Sequence, residues 1–246
     1  MFVLLARLGS AALPFLLGAC AAPAQDVEPA RRLDYQPSEQ LAVGFVIVDG
    51  VYNTELTAPL DILHHSVFHT QPGMRVFTVA PSLAPITSFE GLRLLPDYDF
   101  RGAPPIDVLV VPSAEHSMDS DLEDADLIGF VHERGRAARF VVSLCDGAFV
   151  LARAGLLDGR QATTFPSDVA RFRELFPHIE VHEGVSFVHD GKAITSVGGA
   201  KSFDAALYLA ELLYGARAAR GMAGGLVIDW DLATVEHVYV PHPAAR

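Results

Sequence analysis

Arg139-Phe140-Val141-Val142-Ser143-Leu144-Cys145-Asp146-Gly147-Ala148-Phe149-Val150 joins a β-branched apolar run to a cysteine followed by small residues able to open a helix. This is the pattern of a nucleophile elbow, in which a strand turns sharply into a helix and holds one side chain above the end of a sheet. The sulfur of Cys145 would then lie near the first free N–H groups of that helix, whose dipole favours the thiolate that attacks electrophiles. A buried cysteine acting as a small hydrophobe is the competing reading of the same residues.

The flanking sequence supplies the rest of a sheet. Residues 41–48 and 106–111 are continuous runs rich in Val, Ile, Leu and Phe, as expected of strands buried on both faces of a parallel sheet. After the first run and a loop over 49–54, Leu56, Leu60, Leu63 and Val67 fall at helical spacing, with Pro59 expected in the first turn. Glu55 thus lies between a strand's carboxyl end and a helix start, and Ser113-Ala114-Glu115-His116 follows the 106–111 run in the same way. Such positions face the crevice where open α/β sheets bind ligands, so three strand ends bring Glu55, the Ser113 segment and Cys145 to one edge.

The remaining segments read as a strand at 74–80, a hairpin excursion at 86–95 and a helix at 120–138, with Asp121, Glu123 and Asp124 at its start and Arg134 and Arg136 at its end. Past the helix that Gly155 closes, the pattern predicts a short strand at 161–165 and a helix at 167–175 capped by Ser167. A hairpin turning at Asp190-Gly191, an amphipathic helix at 202–214 and a strand-like piece around Trp230 within 226–242 complete the chain. That last piece would cover a sheet edge or a partner.

Of 246 residues half are hydrophobic and a fifth charged, which suits one α/β domain over 41–246. The formal charge of −12, unbroken by any Lys/Arg cluster, argues against nucleic acid as a partner. Residues 1–19, with Arg7 as their one cation, read as an export signal, and Leu17-Gly18-Ala19-Cys20 resembles a bacterial lipoprotein signal in which Cys20 is acylated. Residues 20–40 would then tether the domain to a membrane of the bacterial cell envelope; a plain secretory signal is the alternative. With Cys20 and Cys145 in separate roles, a single chain has no disulfide. Ten histidines show no metal-ligand spacing, and neither metal nor cofactor is expected.

From about Leu41 to Tyr214 the sequence resembles the PfpI / DJ-one superfamily, with its class I glutamine amidotransferase-like, flavodoxin-like fold: a three-layer α/β/α sandwich on a mostly parallel sheet. The resemblance is carried by Glu55 four residues before Pro59, by Ser143-Leu144-Cys145-Asp146-Gly147-Ala148, by Ala154-Gly155-Leu156-Leu157-Asp158-Gly159 with Ala162-Thr163-Thr164, and by Ile194-Thr195-Ser196 through Gly199 to Phe203-Asp204. It is most similar to the branch holding isonitrile hydratase and the amidase-like domains of AraC-type regulators, and it does not imply the regulators' function. It implies that Cys145 is the reactive thiol and that Glu55 hydrogen-bonds its sulfur; on the residues alone, Glu55 is equally an acid stabilising a helix start.

Two departures stand out. Phe165 occupies the place of a histidine that many relatives carry after Thr-Thr, and Ser113-Ala114 replaces a Gly-Gly pair whose backbone N–H groups help form an oxyanion hole. Backbone donors at Ala114 and Asp146, beside Ser113, would still serve that purpose. His116 stands near enough in sequence to act as acid or base, or is a solvent-facing loop residue, and Asp146 would cap the elbow helix or polarise a water. The expectation is a thiol-dependent hydrolase or hydratase acting on a small molecule such as an isonitrile, amide or reactive carbonyl, with a homodimer compatible. The alternative is a non-catalytic binding or redox-sensing module of the same fold.

Overall fold

The computed structural model describes residues 40–242, so the expected leader, Cys20 and the expected tether lie outside the described residues. In chain order the elements are β1 (Ala42–Val46), α1 (Asn53–His64), α2 (Ser66–His69), β2 (Arg75–Ala80), β3 (Ile86–Thr87), β4 (Arg93–Leu94), β5 (Tyr98–Asp99), β6 (Val108–Val111), α3 (Ala125–Ala137), β7 (Phe140–Leu144) and α4 (Gly147–Arg153). They continue with β8 (Gln161–Ala162), α5 (Val169–Leu175), β9 (Glu180–Val181), β10 (Phe187–Asp190), β11 (Ala193–Ser196), α6 (Ser202–Tyr214), α7 (Ala216–Gly225) and β12 (His237–Val240).

Eight strands form one sheet in the order β12-β10-β11-β7-β6-β1-β2-β5, parallel throughout except where β10 meets β11. The central strands are buried on both faces, and their alternation divides the core in two. Val43, Phe45, Val108, Val110, Val142 and Leu144 pack with α1, α6 and α7, whereas Val46, Leu109, Val111 and Val141 pack with α3, α4 and α5. Each large apolar side chain removed from water there contributes about 1.5–3 kcal/mol. The result is the three-layer α/β/α sandwich that the family resemblance implied, built on the buried strands expected from the apolar runs.

Several local expectations are corrected. Pro59 is the seventh residue of α1 rather than part of its first turn, and its missing N–H is the one that would have reached the Glu55 carbonyl. The 120–138 helix divides into a 3-10 turn (Ser120–Leu122) and α3, because the Asp124 side chain accepts from the Asp126 and Leu127 N–H groups at 2.9 and 3.0 Å and starts the helix there. Ser167 caps nothing, since it sits inside a 3-10 turn (Pro166–Asp168) that precedes α5. Only Gln161 and Ala162 of the 161–165 strand are extended, and they pair with β9 in a separate two-stranded sheet. Trp230 precedes β12 rather than lying in it, and its indole N–H donates to Glu211 at 2.7 Å.

Candidate active site

The turn after β7 carries Cys145 at φ +55, in the left-handed region that non-glycine residues avoid. Holding such a residue costs about 1–3 kcal/mol, which the surroundings must offset. Its N–H donates to the Ser196 carbonyl at 3.0 Å, and its own carbonyl accepts from the Ala148 N–H at 3.3 Å and the Thr164 hydroxyl at 3.2 Å. Two glycines make the turn possible. A Cβ on Gly147 would lie 2.0 Å from the Val111 carbonyl oxygen, and one on Gly198, at φ +80, would lie 2.3 Å from the Cys145 Cβ.

Glu55, in the first turn of α1, is buried, and its Oε1 accepts the Gly199 N–H at 2.9 Å. The carboxylate therefore ties α1 to the turn that passes over Cys145. Asp146 departs from its expected capping role: its side chain makes no cap hydrogen bond to α4. Instead Oδ2 lies 3.7 Å from the Cys145 Sγ, and Oδ1 accepts the Thr164 hydroxyl at 2.9 Å. Burial and the Asp168 carboxylate beside it push Asp146 up to about 6, although the Thr164 hydrogen bond pulls the other way.

The same surroundings act on the thiol in the opposite sense to that expected from a helix N-terminus. Burial pushes Cys145 well above its ordinary value, and the charges of Asp146 and Glu55 push it further. The Asp146 N–H and the Ser113 O–H favour the thiolate, and they do not win. Burial and the two carboxylates thus oppose the thiolate that the start of the seven-residue α4 was expected to favour.

The other residues named from sequence divide sharply. Ser113 is fully buried, and its hydroxyl has no hydrogen-bond partner. The Ala114 N–H, expected as an oxyanion donor, is spent on the Ser117 hydroxyl at 2.9 Å, and the Glu115 N–H on the Gly50 carbonyl at 3.0 Å. His116 points its Nδ1 at Asp119, 3.5 Å away, in a half-exposed pair at the surface. Phe165 is exposed as well.

Three residues that sequence reading passed over complete the site. Thr164 and Asp168 flank Asp146, and Tyr52 faces the crevice: burial and the charges of Cys145, Glu115, Asp146 and Glu55 all raise its phenol. The Tyr52 ring packs on Phe89 with centroids 4.7 Å apart. Among the described residues no three His, Cys, Asp or Glu side chains converge to hold a metal ion. What the arrangement offers is a buried cysteine with a buried acid in contact with it.

Comparison with known proteins fits this geometry. The chain is 35% identical over 178 residues to the isonitrile hydratase of Pseudomonas putida, covering 71% of this chain and 73% of that protein. It is 25% identical over 171 residues to the HTH-type transcriptional regulator GbdR of Pseudomonas aeruginosa, 45% of whose length it spans. Among solved structures, a ThiJ/PfpI family protein from Pseudomonas syringae superposes with a TM-score of 0.66 at 24% identity, covering 87% of this chain and 85% of that one. Drosophila melanogaster DJ-1beta does so with a TM-score of 0.68 at 19% identity, over 78% of this chain and all of that one. Both share the fold. The sequence profile of the DJ-1/PfpI family matches residues 42–212, and the chain belongs to that family.

Proposed function

We propose that this protein is a thiol-dependent hydratase acting on a small, uncharged electrophile, with an isonitrile as the substrate class of choice. The observation that carries the reading is a cysteine held at φ +55 just past β7 with the buried Asp146 carboxyl 3.7 Å from its sulfur. A nucleophile with an acid in contact can add to an unsaturated carbon while a proton moves between them. The similarity to the Pseudomonas putida isonitrile hydratase supports the same chemistry.

The surroundings select among electrophiles. Glu55, Glu115 and Asp146 crowd the crevice with carboxyl groups, which disfavours anionic substrates. Hydrolysis of an unactivated amide requires an acid to protonate the departing amine, and the position where relatives hold histidine carries the exposed Phe165. Hydration of an isonitrile expels nothing but the enzyme's own sulfur. Cys145 adds to the terminal carbon, water adds to the same carbon, and the C–S bond breaks to leave an N-substituted formamide.

Incubating the purified protein and its Cys145→Ser variant with isonitriles, amides and methylglyoxal tests this. Formamide production that vanishes in the variant is expected. Turnover that survives the substitution, or none in the wild type while a ligand still binds the crevice, replaces this reading with a binding or sensing module. The high affinity of Cys145 for its proton is what favours that second reading.

The leader bears on where the reaction takes place. Acylation at Cys20 would hold the domain at a bacterial envelope membrane, supported by the sequence Leu17-Gly18-Ala19-Cys20. Mass spectrometry of the mature amino terminus decides it, and an unmodified terminus at another residue refutes it.

A further inference from the structure

A buried cysteine needs somewhere to put its proton if its sulfur is to attack, and the acceptor its S–H meets is its own neighbour in the chain, Asp146. Resting on the hydratase reading above, we propose that the Asp146 carboxylate is the proton carrier of the site: it takes the Cys145 proton as sulfur attacks and returns it to the substrate.

The geometry supports this from three sides. Asp146 Oδ2 is 3.7 Å from Cys145 Sγ, within the reach of an S–H donor. Its other oxygen is fixed by the Thr164 hydroxyl at 2.9 Å, so the carboxyl cannot swing to the start of α4 and makes no capping bond there. The same Thr164 hydroxyl also lies 3.2 Å from the Cys145 carbonyl, so its one proton is shared between the two residues, more closely with Asp146. Glu55, the rival acceptor, likewise has one oxygen engaged, by the Gly199 N–H at 2.9 Å, but among the described residues the hydrogen bond of the Cys145 S–H goes to Asp146. No cation is among the groups that act on Asp146, which faces Cys145, Thr164 and Asp168, with Glu55 and Tyr52 across the crevice. An acid in that company is held near neutrality, at about 6, where it gives and accepts protons with similar ease.

The sequence of steps balances. Ionised Asp146 removes the S–H proton while sulfur forms its bond to the isonitrile carbon, and protonated Asp146 delivers that proton to the same carbon, giving a thioimidate. Water then adds to the carbon as Asp146 takes one of its protons and passes it to nitrogen. Loss of the remaining hydroxyl proton to sulfur, with cleavage of the C–S bond, releases the formamide and restores the thiol. One isonitrile and one water become one formamide, and Asp146 ends as it began.

Asp146→Asn separates this from a spectator role because its two effects run in opposite directions. Removing the negative charge makes Cys145 easier to ionise, so iodoacetamide should label it faster at neutral pH. Losing the carrier should lower kcat for isonitrile by ~10²–10⁴ all the same. In the wild type kcat/KM should fall as pH drops through about 6, where Asp146 gains its proton. Asp168→Asn leaves the carrier in place and removes the carboxylate that raises it, so this acidic limb should move to lower pH. Isonitrile turnover that survives Asp146→Asn, or an acidic limb unmoved by Asp168→Asn, overturns the proposal while the hydratase reading stands. A wild type inert towards all three substrate classes overturns both.

Discussion

Asp146 and Asp190 are both buried aspartates, 8% and 3% exposed, at opposite ends of the same sheet. Asp190, at the end of β10, is surrounded by donors: Gln161 N–H at 2.7 Å, the Arg160 guanidinium at 3.4 Å and the His242 ring. Asp146, just past β7, has one hydroxyl, one thiol and a second carboxylate. Similar burial thus serves two ends. A buried carboxylate with cations and N–H groups around it is a clamp, here fixing the loop before β8 and the segment after β12 to the hairpin. One that lacks them remains ready to exchange a proton, and the fold is less stable for it.

The sharpest way to break this contrast is to remove both charges and compare signs. Because the folded state holds Asp146 near 6, above the ordinary carboxylate range, its contribution to stability is present at acid pH and lost as pH rises through that value. Asp146→Asn should therefore stabilise the protein at neutral pH, by at most about 3 kcal/mol, and the gain should vanish in acid. Chemical denaturation at two pH values measures it, and a loss of stability at neutral pH would count against the assignment. Asp190→Asn should do the reverse, costing about 1–3 kcal/mol by leaving buried donors poorly matched, with labelling of Cys145 unchanged.

Smaller effects refine the picture. Thr164→Val deletes the hydrogen bond that favours the ionised Asp146, so the acidic limb of kcat/KM should move up in pH; a limb displaced downward would show that Thr164 holds the protonated form instead. Least of all, Glu174→Ala removes an exposed pair with Arg171 at 2.8 Å and should change stability by about 0.2–0.5 kcal/mol. A larger change there would mean that exposed charges, and not buried ones, dominate the electrostatics of this acidic chain.

The sheet was legible in the sequence for a simple reason. Residues 41–48, 106–111 and 139–144 are apolar without interruption, and that pattern in short segments belongs to strands covered on both faces. Cys145 was legible because it ends such a run two residues before Gly147, where the backbone comes within reach of Val111. The proton chemistry was not. Thr164 is eighteen residues from Asp146 and Asp168 lies beyond the expected end of a strand, so only the folded chain brings these side chains together. Asp146 itself was seen, and of the roles offered for it capping fails, because its side chain bonds Thr164 and leaves the start of α4 uncapped. Helix α7 was passed over although Ala219, Met222 and Ala223, at helical spacing, are its buried face.

The sheet also ends in a particular way. At one margin β5 contributes two residues, and at the other β12 contributes four and stops before Pro241, which has no N–H to offer. Both β10 faces that would otherwise invite an added strand are taken, one by β11 and one by β12. An incoming chain finds few backbone groups to copy, so uncontrolled edge-to-edge polymerisation is suppressed by the protein's own carboxyl-terminal segment. Cutting the chain after Gly225 would uncover the Phe187–Asp190 edge, and a trimmed domain made for crystallisation or engineering would trade solubility for brevity.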